Sequence, residues 1–107
     1  MDQRIADIIG FIDENLDRHI SPKEAARMAH LSYCQFAALF REETGKRFGE
    51  HLREKRIARA QSLFRNPGRE IKEISSLAGY RSIHGFYHDF KKITGRTPGQ
   101  FKKQPKS

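Results

Sequence analysis

His84 and His88 stand four residues apart in the stretch SIHGFYHDFKKITGRTP, residues 82–98, with Tyr87 beside them and Lys91 and Lys92 just after. On a helix this spacing places both imidazoles on one face. Such a pair can be half of a metal site, an acid/base couple, or part of a surface that touches something acidic. A zinc site needs three or four ligands. The four-residue step contains no acidic residue, and Cys34 is the only cysteine of the chain. No metal, cofactor or catalytic group is expected. A CxxC knuckle and an internal disulfide are impossible with one thiol, which fits a reducing compartment.

The charge pattern favours the third chemistry. The 107 residues carry 21 Lys and Arg against 13 Asp and Glu, a formal net charge of +8. Residues 1–20 hold two basic and five acidic side chains, residues 21–68 ten and five, and residues 69–107 nine and three. The positive field thus belongs to everything after the first 20 residues, as expected of a domain with a polyanionic partner. No apolar run approaches the roughly 18 residues needed to span a bilayer. The opening Met1, Asp2 and Gln3 do not resemble a signal peptide. A cytoplasmic, nucleoid-associated protein without a membrane partner is expected, and no small-molecule site is evident.

The elements that would carry these residues read as helices throughout, an all-α chain of about seven. Ile5, Ile8, Ile9, Ile12 and Leu16 predict an amphipathic helix over about 3–17. Ser21, Pro22 and Glu24 are start signals for a short helix to about Ala29. Ser32, with Gln35 three residues on, can cap a third helix through Phe36, Leu39 and Phe40, and Gly45 suits a left-handed stop. A long helix from Phe48 to about Phe64 follows, with Leu52, Ile57, Ala60 and Leu63 as its apolar stripe, ended by Asn66, Pro67 and Gly68. Glu70 to Ile74 open another short helix, Gly79 a turn, and Ser82 a helix stopped by Thr94 and Gly95. Thr97, Pro98 and Gln100 open a last short helix around Phe101.

A repeat organises this list. FAALFREETG (36–45) and FYHDFKKITG (86–95) share Phe, Phe, a basic residue, Thr and Gly in register, and the likeness continues upstream at an offset of 49. One supersecondary unit is used twice: a short helix, a tight turn at His30–Leu31 or Gly79–Tyr80, and a longer helix with aromatics at i and i+4. That is the pattern of a helix-turn-helix. We expect one domain over residues 1–107, with the first unit at 1–47, a linker helix at 48–66 and the second unit at 67–107.

On these residues the chain resembles the DNA-binding domain of the AraC/XylS family of bacterial transcription regulators. Gly79, Tyr80, Phe86, Phe90, Lys91, Lys92, Thr94, Gly95, Arg96, Thr97, Pro98 and Phe101 carry the likeness in the second unit. Ala26, Leu31, Ser32, Phe36, Phe40, Arg41, Thr44 and Gly45 carry it in the first, followed by Arg56, Ile57 and Ala60. The likeness covers about residues 3–103. It implies two helix-turn-helix units joined by a long helix, sequence-specific binding of double-stranded DNA, regulation of transcription, and activation through contact with RNA polymerase. A helix over 48–65 would span roughly 27 Å, against about 34 Å between successive major grooves on one face of DNA. One monomer can therefore present two helices to adjacent grooves, and the shortfall predicts bent DNA. Most members carry a further effector or dimerisation domain. Whether this chain is a stand-alone regulator or a piece of a longer one stays open.

The resemblance places Ile83, His84, Tyr87 and His88 at base edges. The imidazoles suit purine N7 or O6, and Ile83 and Tyr87 suit a thymine methyl. Phe86, Phe90 and Ile93 are assigned to the core. In the first unit the outward residues are Cys34, Ala37, Ala38 and Arg41, and at the first three of these the family commonly carries longer polar or basic side chains. Gln35 and Tyr33 can assist from the flank, so most direct readout is expected from the second unit. Phosphate contacts are expected from Arg41, Lys46, Arg47, Lys91, Lys92 and Arg96, and from helix starts near Ser32, Ser82 and Thr97. Arg53, Lys55, Arg56 and Arg59 are ambiguous. The alternatives are an architectural DNA binder with weak sequence preference and a helical module for an acidic protein partner.

Overall fold

The computed structural model describes residues 1–66 and 68–103; Pro67, counted above in the stop after the long helix, lies outside them. Among the described residues there are seven α-helices and no strand: α1 Gln3–Glu14, α2 Pro22–Met28, α3 Tyr33–Thr44, α4 Phe48–Phe64, α5 Ile71–Leu77, α6 Ile83–Thr94 and α7 Pro98–Lys103. They form two compact units, Met1–Lys55 and a second beginning at Arg56, so that the boundary falls inside α4.

In the first unit, Ile5, Ile8 and Ile12 of α1 pack with Ala25, Ala26, Phe36, Phe40, Phe48 and Leu52. The α1 helix stops earlier than its apolar spacing suggests, because the Asn15 side-chain amide takes the Phe11 carbonyl at 2.8 Å and ends the ladder. Leu16 is buried all the same, in the turn that follows. In the second unit, Ile57 and Ala60 of α4 pack with Ile74, Ala78, Phe86 and Phe90, and Leu63, Phe64, Tyr80 and Phe101 close over them.

The repeat is present at the level of hydrogen bonds. After α2, Leu31 N–H donates to Ala26 C=O at 3.0 Å and His30 N–H to Arg27 C=O at 3.0 Å. After α5, Tyr80 N–H donates to Ser75 C=O at 3.1 Å and Gly79 N–H to Ser76 C=O at 3.0 Å. Both are the two-bond Schellman stop, whose penultimate residue must turn left-handed: Gly79 at φ 94°, but His30 at φ 59° in the first unit. At the far ends of α3 and α6, Gly45 (φ 77°) and Gly95 (φ 81°) stop the helices. Thr44 Oγ1 donates to Phe40 C=O at 2.8 Å and accepts Lys46 N–H at 3.2 Å. Thr94 repeats this with Phe90 C=O at 2.7 Å and Arg96 N–H at 3.2 Å.

Each long helix is anchored by its aromatic pair. The Phe36 and Phe40 ring centroids lie 5.6 Å apart, those of Phe86 and Phe90 5.5 Å. Burying such a ring contributes about 1.5–3 kcal/mol. Ile93 does not join them, contrary to its assignment from spacing: it is 41% exposed. Phe64 and Phe101 cover Phe90 at 5.7 and 5.4 Å, and the cluster ends there, one turn short of Ile93.

Candidate nucleic-acid interface

Burial of Phe36 and Phe40 turns the opposite side of α3 outward, and Phe86 and Phe90 do the same for α6. On α6, Ile83, His84, Tyr87, His88, Lys91 and Lys92 are all exposed. This brings together every base-reading candidate of the second unit, with the two lysines one turn further on. On α3, Tyr33, Cys34, Gln35, Ala37, Ala38 and Arg41 are exposed. Cys34 is a free thiol. Ala37 and Ala38 bring no hydrogen-bonding side chain to this face.

Gln35 stands differently from its sequence reading. Its Oε1 accepts Ser32 N–H at 3.1 Å while Ser32 Oγ accepts Gln35 N–H at 3.2 Å, a closed capping box. Its carbonyl is thereby committed to the helix start, and so is the Ser32 N–H offered as an anion donor. Thr97 and Gln100 close the same box at 3.0 and 3.1 Å. In α6 the third residue is Gly85, so only the Ser82 hydroxyl caps, accepting Gly85 N–H at 3.4 Å.

The basic residues divide into paired and unpaired groups. Lys46 forms an ion pair with Glu54, and Lys55 pairs with Asp13 at 3.5 Å. Arg59 Nε donates to Leu77 C=O at 2.9 Å, so that side chain ties α4 to the end of α5. Arg41, Arg47, Lys91, Lys92 and Arg96 are exposed, with no ion-pair partner among the described residues. Beside α3 runs an open groove of about 840 Å³ bordered by Tyr33, Ala37, Arg41, Arg47, Glu50 and Arg53. Three guanidiniums on one groove favour an anion, and it adds Arg53 to the candidates.

One cluster was not visible in the sequence. The Tyr80 hydroxyl donates to Asp89 Oδ2 at 2.7 Å, and His88 Nδ1 lies 3.2 Å from Asp89 Oδ1. The Arg56 guanidinium stands over the Tyr80 ring at 6.0 Å. Burial pushes the Arg56 guanidinium below its ordinary range, and Tyr80 and Asp89 draw it back up. Adjacent residues on a helix give no spacing signal of their own, so nothing in the sequence pointed from His88 to Asp89. No group of three or more His, Cys, Asp or Glu suited to a metal occurs among the described residues. No helix among them is long and apolar enough to cross a membrane.

The sequence model of a family described as "Helix-turn-helix domain" matches residues 25–104, which take in both helix pairs. The chain belongs to the AraC-type helix-turn-helix family. Within that family it is similar to the regulatory protein SoxS of Escherichia coli (strain K12), 29% identical over 98 residues, covering 92% of each chain. Other curated relatives, 26–28% identical, are much longer, and the chain spans 13–38% of their length. Two solved AraC-type folds superpose closely. The DNA-binding domain of AdpA, a global transcriptional factor solved in complex with a target DNA, gives a TM-score of 0.88 at 23% identity, over 92% of this chain and 88% of that one. A transcriptional regulator from Chromobacterium violaceum with an AraC-type DNA-binding domain gives 0.84 at 20% identity, over 97% and 96%. At these identities the likeness shows the fold.

Proposed function

We propose that this chain binds double-stranded DNA sequence-specifically and regulates transcription, with α3 and α6 as recognition helices. The observation that carries the reading is the doubled unit itself. Two Schellman-stopped helix pairs each turn an exposed helix face outward, and each face runs into unpaired Lys or Arg at its C-terminal end. In this reading α6 supplies most of the base readout through Ile83, His84, Tyr87 and His88. Cys34, Ala37 and Ala38 of α3 give close approach and methyl contact, with Gln35 limited to its free amide N–H groups. Arg41, Arg47, Lys91, Lys92 and Arg96 hold phosphates, joined by Arg53. Lys46 and the boxed starts at Ser32 and Thr97 are secondary, because their polar groups already have partners, whereas at the start of α6 only the Ser82 hydroxyl is committed and its N–H is left for an anion.

No enzymatic step belongs to this reading. The finer picture is a monomer that enters two adjacent major grooves in the cytoplasm and activates through RNA polymerase; family membership supports it. Selecting sites from a random duplex pool at about 150 mM salt tests the proposal. Enrichment of a defined sequence, with its strongest block lost on His84→Ala, is the expected result. Salt-sensitive binding without enrichment would favour an architectural DNA binder, the reading that the bland Ala37 and Ala38 face supports. No salt-sensitive binding would defeat both.

A further inference from the structure

The contact between His88 and Asp89 decides which hydrogen-bonding character the imidazole presents. Asp89 is held from two sides: its Oδ2 accepts the Tyr80 hydroxyl at 2.7 Å, and its Oδ1 faces His88 Nδ1 at 3.2 Å. A carboxylate offers only acceptors, so the second contact is a hydrogen bond only when Nδ1 carries the proton. The partner of one ring nitrogen sets the state of the other. In the neutral ring Nε2 is then left with its lone pair, on the far side of the ring from Asp89. The His88 side chain is 73% exposed and that of Asp89 15%, so the acceptor faces out while its orienting carboxylate is sheltered.

We propose that Asp89 is a positioning residue that locks His88 as an Nδ1–H tautomer, so that His88 reads an exocyclic amine, adenine N6 or cytosine N4, in the major groove. This rests on the DNA-binding reading above and sharpens it. An imidazole with the opposite tautomer would donate to purine N7 or guanine O6, the reading its residue type alone suggests. The major groove separates these choices, because N6 and N4 are its only base-edge amine donors. Asp89 touches no base and acts through His88, while Tyr80 holds the carboxylate from the α5–α6 turn.

The first test needs no DNA. Long-range 1H–15N correlation spectra of the histidine rings are recorded at alkaline pH, with the His88 signals assigned through His88→Ala. A protonated Nδ1 and an unprotonated Nε2 are expected. Asp89→Ala should shift the ring toward the Nε2–H form, and Asp89→Glu should restore the wild-type pattern in part. An Nε2–H ring in the wild-type protein overturns the proposal without any variant having to fold. The second test uses base analogues at the position whose preference His88→Ala relaxes. Deleting the exocyclic amine should weaken wild-type binding roughly three- to tenfold, the worth of one hydrogen bond, and replacing purine N7 by carbon should change it little. The reverse order, or no position relaxed by His88→Ala, overturns the readout. Failure of all DNA binding would defeat the functional reading as well, while the spectra would still decide the tautomer.

Discussion

At the scale of single residues, the two recognition faces differ in what they can say to a base. His84, Tyr87 and His88 of α6 carry polar atoms to the surface, whereas Cys34, Ala37 and Ala38 of α3 carry a thiol and two methyls. Ala substitution of His84 or His88 should therefore cost about 0.5–1.5 kcal/mol of discrimination at one base pair, the worth of one hydrogen bond. Cys34→Ala should leave base preference unchanged, as competition binding with single-base variants will show. His51 makes a second residue-scale prediction. Fifty residues before Phe101, it packs edge-on against Phe40 at 5.3 Å, as Phe101 packs on Phe90 at 5.4 Å, and its buried Nε2 has no hydrogen-bond partner. Burial, reinforced by the charge of Lys55, holds its imidazole below the ordinary value of 6.5. The folded state then binds fewer protons than the unfolded chain once pH drops below that value. First-unit stability is complete above about pH 6.5 and declines as pH falls toward the depressed folded value. His51→Phe should remove this decline, so melting curves at about pH 8 and pH 5.5 should differ less in the variant than in the wild type.

At the scale of elements, the repeated stops make the paired helices. Thr94→Val removes a hydroxyl bonded to Phe90 C=O and Arg96 N–H and should destabilise the second unit by about 1–2 kcal/mol in denaturant titrations. Gly79→Ala forces a side chain into φ 94° and should cost a similar amount, about 1–2 kcal/mol. The elements themselves were legible in the sequence, because caps, Thr-Gly stops and Phe pairs are local signals, and the Phe pairs also fix which faces turn outward. What was not legible depends on where packing ends or on side-chain partners. Ile93 has core spacing but lies beyond the rings that cover Phe90. Gln35 was read both as cap and as base contact, and the closed box commits its carbonyl to the cap. The Tyr80–Asp89–His88 chain joins the α5–α6 turn to a helix face, and periodicity does not report that contact. His51 was recoverable by extending the offset of fifty past Gly45.

For the whole molecule, the net charge of +8 predicts strong salt dependence, with each phosphate contact adding about 0.9 to the slope of log K against log salt. Lys91→Ala should reduce that slope by about one and weaken binding alike on all sequences. Lys46→Ala should change the slope less, since Glu54 already pairs with Lys46. The measurement closest to the central claim is the affinity ratio between a selected site and a scrambled duplex at about 150 mM salt, for the wild type and for the His84→Ala, His88→Ala double variant. A wild-type ratio of at least about 10³, falling about ten- to a hundredfold in the variant, is the expected result. A wild-type ratio near one, or a ratio untouched by the loss of both histidines, would contradict a protein that reads DNA through α6.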